Sequence, residues 1–298
     1  MTEKKKAKKE KTYSASVAKT SDGSVQITFT ISWDEIKKNM NKAAEEMGKT
    51  VEIPGFRKGK APVDQVLGHV SYEALVEKSL QRILPLIFSD VILEHKIKPA
   101  MYPKFELLST NKEEDWEVRA QTCEIGEIKL GDYKEKVNGA LRAKKLWVPG
   151  SKTEDSEKEP TKEEKENEAI SVLLKEISLT IPHMLVHQEA DIKLAQLLER
   201  VEKLGLTLES YLASIKKNVN ELREEYEKQA EEIIKLELIL NEIARLEKIQ
   251  VSEDEVSAFI NAASGDPELL KRLETAEQRQ IIVSLLKKRK VLDSLTLV

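Results

Sequence analysis

Residues 151–168 divide this chain, because the run SKTEDSEKEPTKEEKENE contains no aliphatic or aromatic side chain. A segment with nothing to bury is a solvated linker or a charged helix extension, and it cannot form part of a hydrophobic core. The run therefore predicts a boundary between two domains. The full length of 298 residues is sufficient for two domains of ordinary size.

The composition favours helices over a sheet-rich fold. Charged residues make up 34% of the chain and aromatic residues only 5%, whereas strands recruit aromatic and β-branched side chains. The net charge of -4 is small, so the molecule as a whole is not a binder of polyanions. Residues 1–12 are an exception, with six lysines against two glutamates. We interpret them as a basic flexible tail; the alternative is a weak, salt-sensitive attraction to phosphates.

Residues 13–125 have the pattern of one α+β domain. Alternating apolar residues predict a hairpin of strands over 13–18 and 24–32, and Ser32 is a candidate N-cap for a helix that ends near Gly48. A second periodic segment extends from Tyr72 to Glu94, with Pro85 inside it, which predicts a kink or a break. Further strands are expected over 104–109 and 115–125.

The rest of the chain predicts a different architecture. The pattern weakens over 126–165, which we assign to a linker, and residues 166–298 have helical periodicity throughout. One long helix is expected over 218–248, with an apolar stripe that faces either another helix or a binding partner. The predicted fold class is an α+β N-terminal domain followed by an all-helical C-terminal domain, in an elongated two-domain architecture.

Enzyme-like chemistry has little support in the residues. His183 and His187 are four apart, but Met184 occupies the position where a zinc metalloprotease needs glutamate. The single cysteine, Cys123, has acidic neighbours that would raise a thiol pKa, and we interpret it as a packed strand residue. The start of the chain lacks a signal segment, so a cytoplasmic location is expected.

The run IPGFRKGKAP, residues 53–62, is the strongest candidate for a functional site. It fails as a phosphate-binding P-loop, because three residues rather than four separate its glycines and alanine follows Lys60. Its prolines and glycines instead predict an exposed turn that displays Phe56 beside Arg57 and Lys58. An aromatic anchor with a charged rim is typical of a docking tip. The alternative is a hinge whose Phe56 folds back into the core.

The same run resembles the signature loop of the trigger factor family of bacterial ribosome-associated chaperones, Gly-Phe-Arg-x-Gly-Lys-x-Pro. A second stretch, residues 204–260, is similar to the helical C-terminal domain of that family in composition and order. Together the resembling parts cover nearly all of residues 13–125 and 166–298. Trigger factors commonly carry between them an FKBP-type prolyl isomerase domain of roughly 100 residues. This chain has too few residues there, so isomerase activity is expected to be absent.

The resemblance implies an ATP-independent chaperone that docks at the ribosomal exit tunnel and shields apolar segments of nascent or unfolded polypeptides. It assigns ribosome binding to the loop residues Gly55, Phe56, Arg57, Lys58, Gly59 and Lys60, which would contact a ribosomal protein and ribosomal RNA. The C-terminal helices would hold clients. No catalytic residue, cofactor, metal or membrane partner is expected, and the free protein is a possible homodimer. The rival hypothesis is an RNA-binding or ribosome-assembly protein with a helical scaffold.

Overall fold

The computed structural model describes residues 12–145, 161–263, 272–273 and 275–297. The predicted basic tail up to residue 11, residues 146–160 of the predicted linker and the predicted start of the last helix at residue 268 lie outside this range. The chain divides into two compact units, residues 1–125 with 182–185 and residues 126–181 with 186–298. No described helix is long and apolar enough to cross a membrane.

The described elements follow the predicted order of strands and helices. The strands are β1 (Tyr13–Lys19), β2 (Ser24–Ile31), β3 (Lys104–Ser109) and β4 (Trp116–Cys123). The helices of the first unit are α1 (Trp33–Gly48), α2 (Val63–His69) and α3 (Tyr72–Glu94). Those that follow are α4 (Tyr133–Lys145), α5 (Lys162–Glu176), α6 (His183–Lys203), α7 (Leu208–Ile215), α8 (Val219–Leu246), α9 (Glu253–Ala263) and α10 (Ala276–Thr296).

The first unit is a four-stranded antiparallel sheet in the order β1-β2-β4-β3, with helices against one face. The inward-facing residues of the central strands β2 and β4, such as Phe29 and Trp116, are fully buried. They pack with α1 and α3 in one continuous core, as period-two and helical patterns on facing elements require. Arg82 of α3 also pairs with Glu46 of α1.

The sequence predicts a kink or a break at Pro85 of α3, and the break does not occur. The helix continues through Pro85, although proline cannot donate the hydrogen bond that Gln81 would otherwise accept. Leu84 and Phe88, on either side of Pro85, are both buried in the core of the unit. This packing stabilises the helix on both sides of the proline, so tertiary contacts override a local helix breaker.

The described elements of the second unit are all helices, so the predicted fold class of α+β followed by helices is confirmed. Its main core joins apolar residues of α4, α5, α8 and α10. Part of the segment predicted to be a linker is instead a helix packed in this core. Residues 133–145 form α4, whose Val137 and Leu141 are buried in this core. Helix α5 begins inside the charged run, after a capping box made by Thr161 and Glu164.

Candidate docking loop

The candidate loop, residues 49–62, connects two helices that lie against each other at its base. The last residue of α1 is Gly48, and a β-carbon placed there would lie 3.0 Å from Cγ2 of the buried Val66 in α2. The absence of a side chain at Gly48 thus permits the close approach of α1 and α2. Both ends of the loop are therefore held by packed helices, and the residues between them extend from a fixed base.

The loop itself consists of two consecutive β-turns. In the first, the backbone N–H of Phe56 donates to the carbonyl of Ile53 at 3.1 Å; in the second, the N–H of Lys60 donates to Arg57 at 2.9 Å. Gly55 and Gly59 each occupy the third position, with φ angles of +86° and +80°. Type II turns require a positive φ at this position and favour proline before it, as Pro54 provides in the first turn. The spacing of the two glycines therefore encodes the double turn.

Opposite ends of the first turn face opposite environments. Ile53 is buried and belongs to the core of the first unit, whereas every residue from Pro54 to Lys60 is exposed. Phe56 is 41% exposed and is not part of the core. The alternative in which its ring folds back as part of a hinge is therefore not the arrangement observed.

Three cations follow this exposed ring in the sequence. Arg57, Lys58 and Lys60 are all exposed, and no described residue forms an ion pair with any of them. The run 53–62 contains no carboxylate. The loop thus offers one apolar group and three positive charges on a small turn, which suits a partner with an apolar pocket near phosphates or carboxylates. It offers no nucleophile, general base or metal ligand.

His187 and Cys123, which the sequence offered as candidates for metal binding or catalysis, are held in structural contacts. Nδ1 of His187 lies 2.8 Å from Oε1 of Glu227, which joins α6 to α8, and no cluster of potential metal ligands occurs among the described residues. Cys123 is fully buried at the end of β4, as predicted. Burial, together with the charge of Asp22, raises the pKa of its thiol. Neither site has the properties of a reactive centre.

The structure shows which apolar residues of the C-terminal helices are buried and which are exposed. In α8, Leu240 and Ile243 are buried against neighbouring helices, whereas Ile233 on the same predicted stripe is exposed. Val201 of α6 is buried, whereas Leu204, directly after the end of that helix, is largely exposed. Sequence periodicity could not make this distinction, because it depends on which helices are neighbours. Among the described residues of the second unit, the exposed large apolar side chains are Ile192, Leu198, Leu204, Leu206, Val219, Ile233, Leu246, Ile281, Leu285 and Leu297.

Comparison with family models agrees with the resemblance of the loop. The model described as "Bacterial trigger factor protein (TF)" matches residues 13–145, and that described as "Bacterial trigger factor protein (TF) C-terminus" matches residues 150–296. The two matched regions thus adjoin, with only residues 146–149 between them. No segment as long as a typical domain separates them.

Individual relatives match over part of their length. The chain is 38% identical over 108 residues to a trigger factor of Streptococcus mutans, covering 36% of this chain and 25% of the relative. It is 37% identical over 115 residues to one of Enterococcus faecalis, covering 39% and 26%. In these alignments the chain spans about a quarter of the length of the curated relatives.

A solved structure has the same fold over almost the whole chain. It is described as "Promiscuous Substrate Recognition in Folding and Assembly Activities of the Trigger Factor Chaperone". The match has a TM-score of 0.62 at 14% identity and covers 95% of this chain and 99% of the other.

Proposed function

Since the chain belongs to the trigger factor family, we propose that it is an ATP-independent molecular chaperone that docks at the ribosomal exit tunnel. There it shields apolar segments of nascent or unfolded polypeptides in the cytoplasm. The docking element is the loop residues Gly55, Phe56, Arg57, Lys58, Gly59 and Lys60. Its partners at the ribosome are a ribosomal protein and ribosomal RNA.

One observation carries the docking proposal: the exposed Phe56 lies beside cations that pair with no described residue, on a turn anchored by the buried Ile53. An exposed aromatic side chain has an unfavourable interaction with water, which is removed when the ring enters an apolar pocket. The neighbouring Arg57 and Lys58 add attraction to RNA phosphates, which speeds encounter and sets orientation. The rigid base of the loop lowers the entropy lost on binding.

The exposed apolar residues of the second unit support client binding. Scattered apolar side chains such as Ile233 and Ile281 interact weakly with many extended segments, because the hydrophobic effect has no directional requirement. Weak contacts permit release without nucleotide hydrolysis. Prolyl isomerisation is not part of the proposed activity, because the two matched family regions adjoin.

Cosedimentation with ribosomes tests the docking element. The variant carries Phe56→Ala, Arg57→Ala and Lys58→Ala together, and we expect it to lose ribosome binding while still suppressing aggregation of a chemically unfolded protein. A matched control carries Leu93→Ala, Lys96→Ala and Lys98→Ala, which removes an exposed apolar residue and two cations elsewhere on the first unit. This control should bind ribosomes as the wild type does.

The outcomes separate the two parts of the proposal and the rival hypothesis. Equal ribosome binding by both triple variants would contradict docking through the loop, and failure of the wild type to suppress aggregation would contradict the chaperone activity. An RNA-binding protein would instead retain naked RNA, with an affinity that falls steeply as the salt concentration rises. A chaperone should bind unfolded polypeptide with little dependence on salt.

A further inference from the structure

Strand β3 is an edge of the sheet in the first unit. In the order β1-β2-β4-β3 it pairs with β4 on one side, and no described strand pairs with its other side. Residues 104–108 are all exposed. An edge strand of this kind leaves alternate backbone N–H and C=O groups without a ladder partner, which is a template for a further strand.

The helix-facing side of this edge is apolar and incompletely covered. Phe105 and Leu107 lie opposite Ala120 and Val118 of β4, both of which are buried beneath the helices. Phe105 and Leu107 point to the same face but remain 37% and 50% exposed. The helix layer therefore ends before the sheet does, and a groove lies between α3 and β3.

Two hollows form this groove, and they share a wall. One, of about 570 Å³, extends from Tyr72 to Pro85 along α3; the other, of about 640 Å³, lies between Pro85 and the Pro99–Pro103 segment. Pro85 and Phe105 line both hollows. The ring of Phe105 packs edge-on against that of Phe88, with the ring centroids 6.0 Å apart. The ridge between the hollows is therefore apolar and fixed in place by aromatic packing.

The polar lining of the first hollow includes two carboxylates. Glu73 and Glu77 line it, both are exposed, and no described residue forms an ion pair with either. Gln81 also lines it, and its carbonyl lacks the helical donor that any residue other than Pro85 would supply. The hollow thus combines an apolar floor with negative charge at its Tyr72 end, and it complements a ligand that is apolar and cationic.

We propose that the groove between α3 and β3 binds an extended polypeptide segment as an added strand on β3. The segment places apolar side chains into the two hollows and a Lys or Arg side chain against Glu73 and Glu77. In a strand, side chains on one face recur every second residue, about 7 Å apart, which allows the occupant to straddle the Phe105 ridge. Backbone hydrogen bonds supply affinity for any sequence, and the hollows and carboxylates supply preference.

This inference rests on the proposed chaperone function and deepens it, since it assigns to the first unit a client class of its own. It differs from binding by the second unit in two respects that can be measured. Strand addition needs the N–H groups of the client backbone, and the acidic end makes binding depend on the sign of the client charge.

The test uses the full chain and a blocked ten-residue probe peptide in which Leu and Thr alternate and two lysines occupy one end. Versions with the lysines at either end allow for parallel and antiparallel addition. We expect the peptide to slow amide hydrogen exchange at residues 104–109. A version N-methylated at alternate residues should not, because it cannot complete the ladder.

Variants locate the contact. We expect Leu107→Asp to weaken binding of the lysine peptide by at least about tenfold. Glu73→Lys with Glu77→Lys should reverse the preference towards a peptide that carries glutamates in place of its lysines. Leu93→Asp is the control, because Leu93 is an exposed apolar residue on the same helix that does not line the groove.

Two results would overturn the inference. One is protection by the peptide only in the helices of the second unit; this would leave the proposed chaperone function intact. The other is protection of residues 104–109 that rises with protein concentration in the absence of peptide, which would identify a second copy as the occupant. Ribosome cosedimentation and aggregation assays report on the proposed function independently of both results.

Discussion

The backbone amide of Phe56 donates a hydrogen bond to the carbonyl of Ile53, 3.1 Å away, so one turn joins an exposed side chain to a buried one. Ile53 packs in the core of the first unit, whereas the ring of Phe56 lies outside it. Core packing and the proposed docking therefore involve different residues of the same turn. A substitution at the exposed end can remove a binding group without removing core packing.

We expect Ile53→Ala and Phe56→Ala to have very different effects on stability. Ile53→Ala should lower the free energy of unfolding by about 2–4 kcal/mol, because it leaves a cavity in a packed core. Phe56→Ala should change it by less than about 0.5 kcal/mol, as surface substitutions usually do. Urea denaturation followed by circular dichroism measures both values. A similar loss for the two variants would show that the ring packs against the protein in solution.

The two turn glycines give a second prediction. Gly55→Ala and Gly59→Ala should each cost about 1–2 kcal/mol, because an L-residue is strained at positive φ even where space is available. A β-carbon at Gly55 would meet no atom within 4 Å, so a steric clash would not contribute. Gly68→Ala is the control: it lies in α2, has equal space and should stabilise by about 0.5–1 kcal/mol. Equal effects at all three positions would contradict the double-turn geometry.

Local chemistry explains which elements could be predicted from the sequence. The capping box at Ser252 and Glu255 forms as its spacing indicates, with Ser252 N–H and Glu255 Oε2 at 2.8 Å. Thr207 likewise accepts from Ser210 N–H at the start of α7. The loop glycines belong to the same class, since their requirement for positive φ depends only on adjacent residues. Such features need no knowledge of the tertiary neighbours.

Features that depend on distant neighbours were missed or left open. The segment of α4 is rich in charge, and the importance of Val137 becomes apparent only once α5, α8 and α10 pack around it. The uninterrupted helix at Pro85 likewise depends on the sheet beneath it. The sequence identifies β3 as a strand but does not show that it is an edge, because strand order is a property of the assembled sheet.

The turn between β1 and β2 predicts a dependence of stability on pH. Asp22 accepts hydrogen bonds from the hydroxyl of Thr20, from the hydroxyl of Ser24 at 2.8 Å and from the Ser24 N–H at 3.2 Å. These bonds, that of Thr20 foremost, lower the pKa of Asp22 well below its ordinary value of 3.8. A lowered pKa in the folded state means that the ionised carboxylate stabilises the fold above pH 3.8, and that this contribution is lost as the pH falls further.

Asp22→Asn measures this contribution. At pH 7 we expect it to cost about 1 kcal/mol, a modest value because the group is partly exposed. The difference between wild type and variant should stay constant down to about pH 5 and then shrink below the ordinary pKa. Thr20→Val combined with Asp22→Asn should cost less than the sum of the single changes. A difference that does not vary with pH would show that the charge of Asp22 has no role.

The adjoining family matches predict that the chain has no prolyl isomerase activity. Residues 146–149 alone separate the two matched regions, and the described segments on either side form helices rather than a β-rich domain. In a peptide assay, addition of the protein should leave the time constant of cis-trans isomerisation at its uncatalysed value of roughly tens to hundreds of seconds. A rate that increases in proportion to protein concentration would contradict this expectation.

Helix α4 is expected to stabilise the second unit, although it lies in a segment whose sequence suggested a linker. Leu141 is 4% exposed in the core shared with α5, α8 and α10. Near the start of α4, the Tyr133 hydroxyl donates to Oε1 of Glu247 at 2.6 Å, and burial together with this bond raises the pKa of Tyr133. Tyr133 thus joins α4 to a residue 114 positions away in the sequence, and Leu141 joins it to the core of the second unit.

We therefore expect Leu141→Ala to lower the free energy of unfolding by about 2–4 kcal/mol, since it removes buried methyl groups, and Tyr133→Phe by about 1 kcal/mol. Arg142→Ala is the neighbouring control, because Arg142 is exposed and should cost less than about 0.5 kcal/mol. Urea denaturation distinguishes the three. If Leu141→Ala were as mild as Arg142→Ala, α4 would not be docked in solution, and residues 133–145 would belong to the linker that the sequence predicts.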